Sequence, residues 1–447
     1  MIIKNANLIT FEKPNRILAN SSILIKNGKI NQINKGGFLI DKFPKEDVID
    51  AQGQYVMPGN ICAHTHFYGA FARGMAIPCD APANFPEILD KLWWKLDKSL
   101  DYEAVYYSAL VCMIDAIKHG TTTLIDHHSS PNAIEGSLDE IARAVSETGV
   151  RASLCYEVTD RNGSDKAQAG IRENIRFITK TKNHNQNGKL FTSFGLHASL
   201  TLSKKTLEKA KEAVPADSGF HIHVAEHPID EYDSINKSGK RVVERLYDHG
   251  ILGPRTIVVH AVHIDAKELF LLKDTGTWVS HQPRSNMNNA VGLPVVESMM
   301  NAGVKVCLGN DGFSNAMWQE WKATYLAHKL WNADPRRMGA NIVIQMGVYN
   351  NAKLVKQLTD GLEVGVIKEG AEADLIFVDY KPITPLYPEN LPWHIIFGFR
   401  DSMVTTTIVD GKVLMNDREM VNIDECEINE KARKIAMNVW EMYAKQF

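Results

Sequence analysis

Eight short apolar runs recur between Val56 and Asp311: VMPGNICAHTH, TTTLIDH, VRASLCYEV, LFTSFGLH, FHIHVAE, TIVVHAVH, WVSHQ and KVCLGND. Most are separated by segments long enough for a helix. Residues 102–119, for example, carry apolar positions at helical spacing and stop at Gly120, a good C-terminal breaker. Continuous apolar strands alternating with helices read as parallel strands buried on both faces, and eight such units predict a (β/α)8 barrel of the TIM type. The first 58 residues are patterned differently, as brief strands around Asn27-Gly28, a hairpin signal. Similar strands return at ADLIFV (373–378) and TTTIVDGKVL (405–414), the latter turning at Asp410-Gly411. The expected organisation is α/β. A small β-sandwich is built from 1–58 and 362–420, the barrel spans 59–361, and an amphipathic helix at 427–445 closes the C-terminal segment 421–447.

Composition narrows the function classes. At 447 residues the chain exceeds the usual single-domain range unless one domain is a large barrel. Hydrophobic residues at 44% and charged residues at 23% are ordinary for a globular protein in water. A formal charge of -3 supplies no basic face for nucleic acid, and no stretch approaches 18 consecutive apolar residues, so no membrane span is expected. The six cysteines form no CxxC pair, and MIIKNANLIT has no apolar leader core. A reducing, cytoplasmic setting follows. The partners expected are a small heterocyclic molecule and further copies of the chain, as a homo-oligomer.

Polar residues cluster where the strands end, which is where barrel enzymes carry their chemistry. His64 and His66 lie two apart on a strand and so share a face, and two such imidazoles can share a metal at about 2.0–2.1 Å. In HIHVAEH, His221 and His223 also share a face by parity; His223 is preferred because it sits nearer the strand's end, with Glu226 just beyond. His260 and His263 fall in one run, where a buried neutral imidazole is the ordinary alternative. Asp311 ends the last apolar run, where it could cap a helix or complete a site. Three His and one Asp suit one divalent transition metal, Zn2+ before Fe2+ or Mn2+. Around this set, Arg73 could grip a carbonyl or carboxylate, Glu157 could accept from a ring N–H, and His128 ends strand two. Trp93 and Trp94 read as helix core that could also stack on a flat ring.

The segments PGNICAHTH, HVAE, HAVH, HQPRSNMNN and GNDG, in this order, resemble the amidohydrolase superfamily in its aminohydrolase (deaminase and chlorohydrolase) branch. LDKLWWKLD, DHHSSP, CYEVTDRNG and SNMNNAVG look closest to SsnA-type aminohydrolases, a group associated with purine breakdown. The resemblance implies His64, His66 and His223 as metal ligands with Asp311. It also implies Glu226 as the proton shuttle, His260 as the residue steadying water, and His197 on the substrate side. No Lys ends strand four to bridge two metals, so one metal is implied. Gln282 stands where Cys is commoner and Asn310 where Thr is commoner, departures that bear on the substrate.

A bound metal would lower the pKa of its water from about 15.7 toward ~7, with Glu226, His260 and Asp311 as the acid–base groups. Deamination of a purine- or pyrimidine-type heterocycle is the leading expectation, with free bases ahead of nucleotides because no phosphate loop is present. Ring opening of an oxidised purine such as xanthine is the alternative. Halide displacement uses the same machinery. An inactive scaffold would have lost ligands, and none of these positions is lost.

Overall fold

The computed structural model describes residues 1–184 and 188–447. Eight parallel strands form the barrel: Asn60–Thr65, Thr121–Asp126, Arg151–Leu154, Phe194–Ala198, Phe220–Val224, Ile257–His260, Trp278–His281 and Lys305–Leu308. Each of the eight apolar runs supplies one of them. Every residue of strands one, two and five is buried, which is why these runs are continuous rather than alternating. Ile61, Ile125, Ile257, Val259, Trp278 and Cys307 pack into one apolar cluster. The polar residues are left to the strand ends.

The barrel is hydrogen-bonded in two arcs, strands one to three and strands four to eight, with Leu190–Thr192 added to the first arc. Where the arcs meet, Val158 N–H donates to Gly195 O at 3.2 Å and His197 N–H to Val158 O at 2.9 Å. At the other seam Asn310 N–H donates to His64 O at 2.8 Å. A Cβ on Gly309 would lie 2.6 Å from the His64 backbone N and O, so only glycine permits this approach. Both closures therefore adjoin residues of the candidate site.

The two chain ends share one continuous nine-stranded sheet. Tyr55–Pro58 pairs parallel with Ile2–Ile9 and antiparallel with Leu375–Val378, placing Val56 opposite Phe377. Ile3, Leu8, Ile23, Val56, Leu375 and Phe377 form its apolar core. The hairpin turn has Asn27 and Gly28 at φ of 51° and 76°, the left-handed pair that Asn-Gly tolerates best. The closing helix runs Glu425–Ala444, starting slightly earlier than the expected 427 because the Asp424 side chain accepts from Glu427 N–H at 3.0 Å. Its buried Ile428, Ala432, Ile435, Val439 and Tyr443 make one apolar stripe. Near its end, Trp440 Nε1–H donates to Phe71 O and Tyr443 O–H to Lys91 O, each at 2.7 Å. The helix thereby braces the long segment after strand one.

Arg151, fully buried on strand three, ties barrel to sheet. Its Nε donates to Asp374 Oδ2 at 2.5 Å, and its Nη2 donates to Asp374 Oδ1 at 3.1 Å and Glu372 Oε2 at 3.2 Å. Removing one partner of a buried ion pair strands the other charge. Arg151→Met is expected to destabilise the fold by about 3–5 kcal/mol, read as a lower urea midpoint. An unchanged midpoint would show that water already screens this junction.

Candidate metal centre

Four donors converge at the C-terminal mouth of the barrel. Ligand atoms of His64, His66, His223 and Asp311 all lie within 4.8 Å of one another. His64 Nε2 and His66 Nε2 stand 2.9 and 3.1 Å from Asp311 Oδ1, and the Nε2 atoms of His66 and His223 are 3.2 Å apart. Tetrahedral donors at 2.0–2.1 Å from an ion would be separated by about 3.4 Å, so this spacing fits a shared ion. The other ring nitrogens are already engaged. His66 Nδ1 bonds His127 O at 2.5 Å, His223 Nδ1 bonds His197 O at 3.0 Å, and His64 Nδ1 meets His221 Nε2 at 2.9 Å. With Nδ1–H donated to a carbonyl, the Nε2 atoms of His66 and His223 present lone pairs to each other. Two lone pairs at 3.2 Å repel unless a proton or a metal cation lies between them, and with Asp311 completing the set the four donors fit a divalent metal. His221, the parity alternative to His223, sits one layer deeper and backs His64.

The expected acid–base groups adjoin this set. Glu226 Oε2 is 3.3 Å from His260 Nε2, which is 3.8 Å from Asp311 Oδ2. A six-residue helix, Pro283–Asn288, and the residue after it hold all three groups. Ser285 Oγ–H donates to Asp311 Oδ2 at 2.5 Å, Asn286 Oδ1 accepts from His260 Nδ1 at 2.8 Å, and Asn289 Nδ2–H donates to Glu226 Oε1 at 3.3 Å. Ala225, His260 and Asp311 have φ of 48°, 71° and 56°, a left-handed region that costs non-glycine residues energy and clusters at functional sites.

Burial and charge shape the protonation of the site. Burial pushes His64 down to about 3 and also lowers His223 and His260. Burial works against His66, yet the hydrogen bond and charge of Asp311 raise it to about 9. Positive charge is thus favoured where the donors meet. Burial, with the Asp311 charge added, raises Glu226 well above the usual carboxylate range.

Above the donors lies a cavity that opens to solvent. Tyr68, Phe85, Trp93 and Trp94 line it, with Glu157 and His197 among the polar groups. The two tryptophans thus face the cavity, as their stacking alternative required. His197 Nδ1 bonds Thr201 Oγ1 at 2.6 Å, and its Nε2 is 3.8 Å from Glu157 Oε1. Two expected substrate contacts need correction. Arg73 does not line the cavity: the turn Phe67–Ala72 buries Phe67, Tyr68 and Phe71 and leaves Arg73 exposed, its charge acting on Asp115. His128 is buried behind Tyr68 and bonds Ser130 Oγ at 2.9 Å; the imidazole facing Glu157 is His127, whose Nδ1 is 3.3 Å from Glu157 Oε2. The error is one residue at a strand end, where pleat parity no longer holds. Gln282 bonds Ser280 Oγ at 2.7 Å, and Asn310 bonds Asn315 Oδ1 at 2.7 Å and accepts from Gly312 N–H at 3.0 Å. Both act on neighbouring protein groups and do not line the cavity. His263 bonds Val291 O at 2.9 Å, outside the donor set. Asp97, Ser285 and Asn289 were not singled out by the sequence reading, although SNMNN carried the last two.

Fold and site together define a barrel hydrolase that works with a divalent metal. The amidohydrolase family profile matches residues 55–414. Over 443 residues the chain is 34% identical to a 5'-deoxyadenosine deaminase of Methanosarcina mazei, covering 98% of this chain and 97% of that protein. It is 32% identical over 448 residues to a 5-methylthioadenosine/S-adenosylhomocysteine deaminase of Acetivibrio thermocellus, covering 98% and 99%. An adenosine deaminase from Xanthomonas campestris with bound zinc shares the fold, with a TM-score of 0.83 at 21% identity over 98% of both chains. The chain belongs to the amidohydrolase family and is a hydrolase of C–N bonds.

His223→Ala is expected to remove most bound metal, because it deletes one of four donors. His221→Ala should weaken binding by about 10–100-fold through loss of the group that orients His64. Metal content after dialysis against a graded chelator reads both. If His223→Ala holds metal as the parent does while His221→Ala loses it, the two histidines exchange roles.

Proposed function

We propose that this protein hydrolytically deaminates an aminopurine-type heterocycle, carried as a nucleoside rather than a free base, with zinc as the metal. The single observation that carries the reading is Glu226, held by Asn289 and 3.3 Å from His260, beside four converging donors. A divalent ion bound by His64, His66, His223 and Asp311 supplies Lewis acidity and an acidified water. Glu226 takes a proton from the attacking water and passes it to a ring nitrogen. Its raised affinity for protons suits it to that return step. His260 is held neutral by burial, and its Nδ1–H is given to Asn286, so its Nε2 accepts from the water and steadies it. The water oxygen bonds to the amino-bearing carbon; Asp311 Oδ2, held by Ser285 on the other side of His260, can take the second proton and pass it to the amino group. The carbon–nitrogen bond then breaks and ammonia leaves.

Aromatic side chains of Tyr68, Trp93 and Trp94 suit the faces of a flat ring, and His197 suits its edge. The cavity opens to solvent above the donors, which leaves a path for a substituent beyond the ring. The deaminases named above act on adenine nucleosides, which supports the same choice. It revises the expectation of a free base.

Ammonia release should be assayed with adenine, adenosine, 5'-deoxyadenosine, guanine and cytosine, following ring absorbance in parallel. Ammonia from the adenine nucleosides above the free bases is expected. Ring absorbance lost without ammonia would replace deamination by ring opening. Glu226→Gln is expected to keep its metal and lose about 10²–10⁴-fold in kcat, since Gln cannot carry the proton. A near-normal kcat with full metal content would remove Glu226 from the chemistry.

A further inference from the structure

Arg161 is the one Lys or Arg among the described residues lining the cavity, and its side chain is 9% exposed. Its positive charge is already spent on protein groups. Nη2 pairs with Asp97 Oδ2, lies 3.7 Å from Glu157 Oε1 and donates to Ser129 Oγ at 3.2 Å. Ser129 Oγ–H also donates to Asp97 Oδ2 at 2.9 Å, fixing that carboxylate toward the guanidinium. The guanidinium lies 5.4 Å from the centre of the Trp94 ring. Its remaining nitrogens, Nε and Nη1, are covered by protein and have no hydrogen-bond partner. One cation therefore faces two buried carboxylates and offers no free donor to the cavity. Glu226 and Asp230 also line the cavity.

We propose that the recess formed by Asp97, Glu157 and Arg161 selects substrates whose non-reacting arm is uncharged, and rejects those carrying a carboxylate or phosphate there. The inference rests on the nucleoside reading above and narrows it. An anion entering this recess would have to displace a carboxylate already seated on the guanidinium, while facing a second one. Like-charge juxtaposition of this kind costs enough to set specificity. An uncharged arm meets no such penalty and finds aromatic surface beside it.

A matched pair isolates the charge: adenosine 5'-carboxamide and adenosine 5'-carboxylate, which differ little in size. With the metal-loaded parent enzyme, kcat/KM for ammonia release is expected to be at least about a hundredfold lower for the carboxylate. Asp97→Asn, which takes one carboxylate from Arg161, should narrow that gap at least tenfold. Glu157→Gln provides the second variant should Asp97→Asn fail to fold. Equal kcat/KM for the pair in the parent enzyme would overturn the proposal, as would an unchanged gap in the variants that fold. If no aminopurine yields ammonia, the deaminase reading fails instead. The recess is then tested by calorimetric binding of the same two compounds: preference for the carboxamide sustains it, and equal or tighter binding of the carboxylate sinks it.

Discussion

Two imidazole nitrogens pointed at one another across 3.2 Å set the terms for much of this structure. The pair needs a proton or a cation between them, and the protein imposes the arrangement by committing the far side of each ring elsewhere. His66 and His223 give Nδ1–H to the carbonyls of His127 and His197, residues at the ends of strands two and four. The orientation of the donors is therefore set by backbone, and the backbone is set by the barrel. Closure of the barrel matters for the same reason. His64 O accepts from Asn310 N–H at the seam where strand eight meets strand one, one residue before Asp311. Opening that seam would separate Asp311 from both His64 and His66.

The barrel and the convergence of the candidate donors were legible from residues alone, for a physical reason. Buried parallel strands must be continuously apolar, so eight runs could be counted without knowing their geometry. Metal donors must sit at strand ends on inward faces, so parity singled out His64 and His66 and narrowed strand five to His221 or His223. Position alone misled at strand two: His128 was named because it ends the strand, but it is His127 that turns inward toward Glu157. Arg73 failed for a different reason. The turn Phe67–Ala72 spends its inward positions on Phe67, Tyr68 and Phe71, and no local signal shows that an arginine two residues later will face solvent. The Asp97–Arg161 pair joins residues 64 apart, beyond the reach of any spacing argument. The left-handed backbone of Ala225, His260 and Asp311 was equally invisible, because no glycine marks it and a lone Asp or His is far more often found elsewhere.

That strain has to be held by something, and two devices in the structure are placed to do so. The helix Pro283–Asn288 and Asn289 bond Asp311, His260 and Glu226 through successive polar side chains, so three strand ends are fixed by one short element. The second device is the C-terminal helix, far away in sequence. Trp440 and Tyr443 hold the backbone at Phe71 and Lys91, and Gln446 beyond the helix donates to Lys95 O at 2.8 Å. Those three anchor points, with a further bond from Gln446 to Ser99 Oγ at 2.8 Å, bracket the segment that carries Trp93, Trp94 and Asp97 over the cavity. The metal donors and acid–base groups are thus positioned by the barrel and its strand-seven helix, whereas the cavity roof is positioned by the chain's last helix. Such a division lets the roof vary without disturbing the donors, because the two sets of bonds share no residue.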